Sequence, residues 1–138
     1  MAKILIVEDN AANMKLACLL LLKAGHTALC AMDAETGLMM ASADQPDLIL
    51  MDLLMPQMTG LEAVGLMRQT PELASTVVLA LTALAFDHER KLAMDAGFDL
   101  VITKPFSRRQ LMAAISERFP RLELTLPEVR HDLRARTA

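Results

Sequence analysis

Five polar residues stand directly after short apolar runs, and their side chains are of the types that carry phosphoryl chemistry. Glu8 and Asp9 follow one run, Asp52 a second, Thr82 a third and Lys104 a fourth. Carboxylates serve as covalent nucleophiles and as ligands for hard cations. An ammonium and a hydroxyl can hold the oxygens of a transferred phosphoryl group. If the fold brings these residues together, they form a site for phosphoryl transfer to a carboxylate.

The three acids constrain what such a site must contain. Three carboxylates cannot all stay ionised at close range without a counter-charge. A divalent hard cation resolves the repulsion, and Mg²⁺ suits the site because carboxylates, waters and a phosphoryl oxygen are its usual ligands. We therefore expect Mg²⁺ beside Glu8, Asp9 and Asp52, with Asp52 as the nucleophile attacking in line. Lys104 and Thr82 then contribute a positive charge and a hydroxyl donor on the opposite side of the pocket.

The pattern of the intervening residues predicts the elements that position this site. Short apolar runs alternate with longer helical patterns, and most runs are continuously apolar, as in parallel strands covered on both faces. The predicted strands are Lys3–Val7, Thr27–Ala31, Leu48–Met51, Val77–Leu81 and Leu100–Ile102, and the predicted helices span residues 12–24, 34–43, 60–69, 87–96 and 107–118. We expect Gly25 and Gly97 to end two helices in a left-handed conformation, and Ser107 with Gln110 to begin the last helix as a capping box.

Five β–α units in this order predict an α/β fold, a doubly wound five-stranded parallel sheet with helices on both faces. The flavodoxin-like strand order 2-1-3-4-5 is the natural arrangement of five such units. In these sheets, ligands bind beyond the carboxyl ends of the strands, where the strand order reverses. This rule brings Glu8, Asp9 and Asp52 together, because the first and third strands are neighbours at that point.

Length and composition fit one globular domain. The chain has 138 residues, 54% of them hydrophobic, and its formal charge of −3 gives no electrostatic case for nucleic-acid binding. The apolar run before Glu8 is too short for a signal-peptide core, and no run approaches the ~20 residues of a membrane span. We therefore expect a soluble, cytoplasmic protein. Cys18 and Cys30 lack metal-ligand spacing and are expected to be reduced core thiols.

Several short motifs occur together in this chain. They are Ile-Leu-Ile-Val-Glu-Asp-Asn (4–10), Pro-Asp-Leu-Ile-Leu-Met-Asp-Leu-Leu-Met-Pro (46–56), Thr59-Gly60, Leu81-Thr82-Ala83 and Thr103-Lys104-Pro105-Phe106. In this combination the chain resembles the response-regulator receiver domain of two-component signalling, including the single-domain regulators of chemotaxis and cell division. We accordingly assign residues 1–119 to a receiver domain and residues 120–138 to a flexible C-terminal tail or linker.

The resemblance implies roles for individual residues and partners. The implied Mg²⁺ ligands are Glu8, Asp9, Asp52 and the backbone carbonyl of Leu54. Thr82 and Lys104 bind the phosphoryl group, and the Lys104–Pro105 peptide bond is cis. The implied phosphodonor is a phosphohistidine on a histidine kinase or a histidine phosphotransfer protein, and the output goes to an effector protein or a homodimer. We expect no enzymatic activity beyond the protein's own phosphotransfer and self-dephosphorylation, and neither nucleic acid nor membrane as a direct partner.

One position departs from the family pattern and leaves the output open. Val101 stands three residues before the lysine, where the family usually carries a Tyr or Phe that rotates as a switch. Either the output travels through the loop and helix after Thr82, or the domain is a phosphate sink or relay. A pseudo-receiver that binds partners without phosphorylation is a further alternative, although the presence of Asp52, Thr82 and Lys104 argues against it. A haloacid-dehalogenase-type phosphatase would need a second acid where Leu54 stands.

The first predicted helix carries more apolar residues than one face requires. Its apolar residues are Met14, Leu16, Cys18, Leu19, Leu20, Leu21 and Leu22. They either pack against both the sheet and the last helix, which we favour, or form a docking face for a kinase helix or a second copy. His26, His88 and His131 show no ligand spacing and are expected at the surface.

Overall fold

Strands and helices alternate throughout the described part of the chain. The computed structural model describes residues 2–83 and 86–118. The strands are β1 (Lys3–Val7), β2 (Thr27–Ala31), β3 (Leu48–Asp52), β4 (Val77–Thr82) and β5 (Leu100–Thr103). The helices are α1 (Ala11–Lys23), α2 (Ala34–Asp44), α3 (Gly60–Gln69), α4 (Asp87–Ala96) and α5 (Arg108–Arg118). A short 3₁₀ turn, Pro71–Leu73, joins α3 to β4 and was not among the predicted elements.

The five strands form one parallel sheet in the order β2-β1-β3-β4-β5, which confirms the predicted fold. Every residue of the central strand β3 is buried, and this explains why its sequence is apolar without alternation. Alternate residues of β1 contribute to two separate cores. Ile4 and Ile6 pack with α1 and α5, whereas Leu5 and Val7 pack with α2, α3 and α4. Helices therefore cover both faces of the sheet.

Three strands run one residue further than predicted, and each additional residue is polar. The parallel pairing of β3 with β4 continues to Asp52, which is level with Leu81. The pairing of β4 with β5 continues to Thr82, which is level with Thr103. Asp52 and Thr82 therefore belong to the paired sheet rather than to the loops beyond it, and the sheet fixes their backbones.

The predicted helix boundaries agree with the observed backbone. Gly25 and Gly97 both have positive φ, at 91° and 127°, where a residue with a Cβ is strained. Ser107 and Gln110 form the predicted capping box. The Gln110 N–H donates to Ser107 Oγ over 3.1 Å, and the Ser107 N–H donates to Gln110 Oε1 over 2.8 Å.

Helix α1 presents leucines to solvent as well as to the core. Leu21 is fully buried, and Leu20 is partly buried against the core between α1, α5 and the sheet. Leu16, Leu19 and Leu22 are about half exposed, at 48%, 49% and 55%. The favoured prediction that these apolar residues all pack internally is therefore wrong for these three leucines. The alternative, that they form a docking face, stays a prediction.

His26 is buried, so its predicted surface position is wrong. Its Nδ1 accepts a hydrogen bond from the Ala2 N–H over 3.1 Å. Its Nε2 is buried and has no hydrogen-bond partner within the described residues. Burial, reinforced by the nearby N-terminal charge, lowers the pKa of His26 below its usual 6.5. His88 is exposed as predicted, whereas His131 lies outside the described residues.

A single guanidinium joins the elements at the other end of the sheet from the candidate site. Arg68, near the end of α3, donates through Nε and Nη2 to the Gly97 carbonyl over 2.9 and 2.7 Å. Its Nη1 donates to the carbonyls of Ala74 and Thr76 over 3.1 and 2.7 Å. Its Nη2 also pairs with Asp99 over 3.1 Å. The side chain thereby connects α3 to the segments that precede β4 and β5.

Within residues 2–83 and 86–118, no helix is both long enough and apolar enough to cross a membrane. The predicted tail from residue 120 lies outside the described residues, and so does the segment 84–85 in the loop between β4 and α4.

Candidate functional site

Two of the predicted acids lie side by side at the carboxyl end of the sheet. Glu8 directly follows β1, and Asp52 is the last residue of β3. The two strands are neighbours, with Val7 level with Met51, so Glu8 and Asp52 are adjacent. Both side chains are buried, with relative exposures of 1% and 6%. Ionised carboxylates are rarely buried without partners, so their surroundings must compensate for the lost hydration.

Lys104 supplies that compensation to both carboxylates at once. It follows β5, and its Nζ donates to Glu8 Oε1 over 2.9 Å and to Asp52 Oδ2 over 3.1 Å. Burial disfavours the charged ammonium, but the hydrogen bonds and charges of the two acids outweigh it, so the pKa of Lys104 is raised. The predicted cis conformation of the Lys104–Pro105 bond is confirmed.

Backbone donors hold the second oxygen of each buried acid. The Asn10 N–H donates to Glu8 Oε2 over 3.1 Å, and the Asn10 side chain caps α1 by accepting from the Asn13 N–H over 2.9 Å. The Leu54 N–H donates to Asp52 Oδ1 over 3.2 Å. Each carboxylate is therefore oriented from two sides. The role of Asn10 was not predicted, although Asn directly before a helix is a common cap.

The third acid completes a cluster that suits a hard cation. Glu8, Asp9 and Asp52 each offer a carboxylate oxygen, and these oxygens lie within 4.8 Å of one another. Asp9 is exposed, whereas the other two are buried. The three acids together with Lys104, which contacts Glu8 and Asp52, have a net formal charge of about −2, and oxygen donors in this number fit Mg²⁺. The role of the Leu54 carbonyl as a further ligand stays a prediction.

Thr82 lies at the same edge of the sheet. It is the last residue of β4, it is buried, and its carbonyl accepts from the Lys104 N–H over 2.7 Å. The structure therefore brings Thr82 and Lys104 together beside Asp52, as predicted. Val101 is buried on β5, in the core shared with α3 and α4.

Gly60 shapes the loop that follows Asp52, a role that the sequence reasoning missed. A Cβ at this position would lie 2.9 Å from the Cα of Leu53, against backbone that cannot move aside easily. The Gly60 N–H donates to the Leu53 carbonyl over 2.9 Å. Thr59 caps α3 through a capping box with Glu62. The start of α3 is thereby pressed against the end of β3, next to the candidate nucleophile.

Comparison with known protein families and curated proteins identifies relatives of this chain. Residues 4–116 match the family described as the response regulator receiver domain. The polar-differentiation response regulator DivK of Brucella anthropi is 35% identical over 104 residues, which cover 75% of this chain and 85% of DivK. The alkaline phosphatase synthesis transcriptional regulatory protein PhoP of Bacillus subtilis is 32% identical over 132 residues, covering 94% of this chain and 54% of PhoP. The chain thus spans about half the length of this and similar regulators.

Solved structures show the same architecture. The chemotaxis response regulator CheY4 of Vibrio cholerae superposes with a TM-score of 0.81 at 28% identity, covering 85% of this chain and 98% of that protein. The receiver domain of the sensor histidine kinase PA1611 from Pseudomonas aeruginosa superposes with a TM-score of 0.79, also at 28% identity. That comparison covers 84% of this chain and 95% of the PA1611 domain, which holds a magnesium ion in its active-site cleft.

Proposed function

Because the chain belongs to the response regulator receiver domain family, we propose that it accepts a phosphoryl group on Asp52 from a phosphohistidine. The observation that carries the proposal is the ammonium of Lys104, which contacts the buried carboxylates of Asp52 and Glu8 together. A nucleophilic carboxylate, a fixed cation beside it and two further acids form the set that phosphoryl transfer to an acid requires.

The transfer exchanges one bond to phosphorus for another. An Asp52 oxygen attacks in line, an O–P bond forms, and the P–N bond breaks with its electron pair returning to the imidazole. The hydrogen bonds from Leu54 N–H and Lys104 Nζ orient Asp52 before the attack. Lys104 and Thr82 then hold oxygens of the transferred group. Glu8, Asp9 and Asp52 are the residues that would hold Mg²⁺, which supplies positive charge to the phosphoryl oxygens when bound.

The proposed partners follow from this chemistry. The donor is a histidine kinase or a histidine phosphotransfer protein in the cytoplasm, and the acceptor of the signal is an effector protein or a second copy of the chain. We propose no enzymatic activity beyond phosphotransfer and self-dephosphorylation. No direct contact with nucleic acid is proposed, because the chain's net charge is −3.

A phosphorylation assay with a small donor tests the proposal. The protein is incubated with Mg²⁺ and acetyl phosphate, and intact mass spectrometry follows the added phosphoryl group. We expect an adduct on the wild type and none on Asp52→Asn. Asp95→Asn is the matched control, because Asp95 is an exposed acid on α4 that pairs only weakly with Lys91. An unmodified wild type, or an undiminished adduct on Asp52→Asn, would overturn the proposal.

Val101 supports a phosphate sink or relay as a second candidate for the output. The side chain is 8% exposed and has no ring that could exchange between buried and exposed positions. A sink passes its phosphoryl group on or loses it without changing its own contacts. Sedimentation of the phosphorylated and unphosphorylated protein, alone and with its kinase, separates the two: unchanged association supports the sink, and altered association supports a switch. A protein that takes up no phosphoryl group is instead a pseudo-receiver.

A further inference from the structure

The two cysteines of the chain lie in direct contact on the face of the sheet that α1 covers. Cys18 is in α1, Cys30 is in β2, and their Sγ atoms are 2.8 Å apart with both thiols free. The prediction that both are core thiols is wrong for Cys30, which is exposed, whereas Cys18 is partly buried. The pairing had no sequence signal, because it joins residues 12 positions apart across two different elements.

The sheet register explains why the two side chains meet. Cys30 is level with Ile6 of the neighbouring strand, and level residues of adjacent strands project from the same face. Ile6 packs in the core with Met14 and Ala17 of α1, so Cys30 also faces α1. β2 is the edge strand of the sheet, which leaves Cys30 open to solvent on its outer side. The contact is therefore built into rigid elements and is reachable from outside.

We propose that Cys18 and Cys30 form a redox-active dithiol, which a low-molecular-weight disulfide such as oxidised glutathione converts into an intramolecular disulfide. The sulfur atoms need to approach by less than about 1 Å to reach the ~2.05 Å of a disulfide bond. This modification site is separate from the acidic cluster and goes beyond the proposed phosphotransfer. It uses none of the residues that hold the phosphoryl group.

The order of the two exchange steps follows from exposure. The Cys30 thiolate attacks one sulfur of oxidised glutathione, forming a mixed disulfide and releasing one glutathione thiolate. Cys18 then gives up its proton to solvent and attacks the Cys30 sulfur, and the second glutathione leaves as its thiolate. Two protein thiols are thereby oxidised, and one oxidised glutathione is reduced to two glutathione molecules. Glutathione in excess reverses both steps.

The assignment of Cys30 as the attacking residue is supported by the surroundings of Cys18. Burial raises the pKa of the Cys18 thiol to about 12, and the hydrogen bond and charge of Cys30 act in the same direction. Cys18 is therefore almost fully protonated near neutral pH and is a slow first nucleophile. Once Cys30 is in a mixed disulfide, its hydrogen bond and charge no longer oppose ionisation of Cys18, and only burial remains.

Intact mass spectrometry after incubation of the reduced full-length chain with oxidised glutathione tests this proposal. We expect the wild type to lose two hydrogen atoms, to carry no glutathione and to stay monomeric on a non-reducing gel. Digestion should yield one peptide pair linked through Cys18 and Cys30, which are the chain's two cysteines. Dithiothreitol should restore the starting mass.

Single serine variants provide the matched controls. Cys18→Ser should accumulate glutathione on Cys30, because no second thiol resolves the mixed disulfide. Cys30→Ser should react many-fold more slowly, because only the partly buried thiol remains. A wild type that keeps glutathione, forms disulfide-linked dimers or retains two alkylatable thiols would overturn the proposal. The phosphoryl adduct of the serine variants is measured in a separate experiment with acetyl phosphate. A failure of the proposed phosphotransfer therefore does not affect the test of the dithiol.

Discussion

Replacing Asp52 by asparagine is expected to stabilise the metal-free protein, although it removes the proposed phosphoryl acceptor. The attraction between Asp52 Oδ2 and Lys104 Nζ, 3.1 Å apart, is worth about 5 kcal/mol at an effective dielectric constant of about 20. The Glu8 carboxylate, which offers an oxygen within 4.8 Å, opposes it by at least about 3.5 kcal/mol on the same scale. The attraction to Lys104 and the repulsion from Glu8 together therefore leave the Asp52 charge with a small net stabilisation.

The cost of burying the Asp52 carboxylate exceeds this small electrostatic stabilisation. Asp52 is only 6% exposed, and the effective cost of taking a carboxylate out of water is several kcal/mol. Asp9 adds further repulsion, which water screens because its side chain is exposed. Asparagine keeps the shape of the side chain and an oxygen that can accept from Lys104, and it leaves the ammonium to Glu8. We expect the free energy of unfolding to rise by about 1–3 kcal/mol, the excess of the burial and repulsion costs over the lost attraction.

Urea unfolding with and without Mg²⁺ measures both halves of this prediction. With a chelator present, the unfolding midpoint of Asp52→Asn should lie above that of the wild type, at an unchanged slope. As Mg²⁺ is added, the wild type should gain stability with the logarithm of metal concentration, and the variant should gain less. The control Asp95→Asn should shift stability by no more than about 0.5 kcal/mol and keep the full response to Mg²⁺.

A loss of about 1 kcal/mol or more in Asp52→Asn with a chelator present would refute the reasoning. It would mean that the attraction of Lys104 exceeds the combined cost of burial and of the Glu8 charge. An equal response of both proteins to Mg²⁺ would refute the assignment of Asp52 as a metal ligand, whatever the stability of the variant.

Three further predictions concern the scaffold around the site. Arg68→Met should lower the free energy of unfolding by about 2–3 kcal/mol in chemical denaturation, because the partly buried carbonyls of Thr76 and Gly97 lose their charged donor. Lys91→Met, which removes an exposed ion pair, should change it by less than about 0.5 kcal/mol, and equal effects would contradict the structure. Gly60→Ala should lower the free energy of unfolding by about 2 kcal/mol, because the added Cβ is overpacked against backbone. Gly65→Ala, where a Cβ meets nothing within 4 Å, should raise it by about 0.5–1 kcal/mol. A melting temperature that is higher for Gly60→Ala than for Gly65→Ala would disprove this prediction. The lowered pKa of His26 means that this side chain binds a proton more readily in the unfolded chain than in the folded one. The contribution of His26 to the free energy of unfolding should therefore be fully present above pH 6.5 and be lost as the pH falls below it. His26→Gln should flatten the pH dependence of the free energy of unfolding in this range, and an unchanged profile would argue against a lowered His26 pKa.

The fold could be predicted from the sequence because most of its strands are short, continuously apolar runs that are easy to recognise. Up to Met51, β3 reads as a short uninterrupted apolar run, a pattern that is typical of a strand covered on both faces. The predicted ends of β3 and β4 lie one residue short, because Asp52 and Thr82 are polar although the backbone pairing continues through them. The acids could be brought together in advance because the strand-order rule fixes which strands are neighbours.

What the sequence could not predict depends on distances between elements. His26 has a side chain of a type that is often exposed, and only the tertiary fold puts the Ala2 N–H beside it. The contact between Cys18 and Cys30 likewise depends on how α1 lies over β2. The leucines of α1 show the same limit, because an apolar pattern does not say how many faces of a helix are covered.

The sharing of Lys104 between two acids also has a consequence for how the protein is made. Lys104 is separated from Asp52 by 52 residues and from Glu8 by 96. During translation, the two carboxylates therefore leave the ribosome before their shared cation does. A growing chain that stops short of β5 lacks Lys104, so under the proposed function it has no complete site for accepting a phosphoryl group.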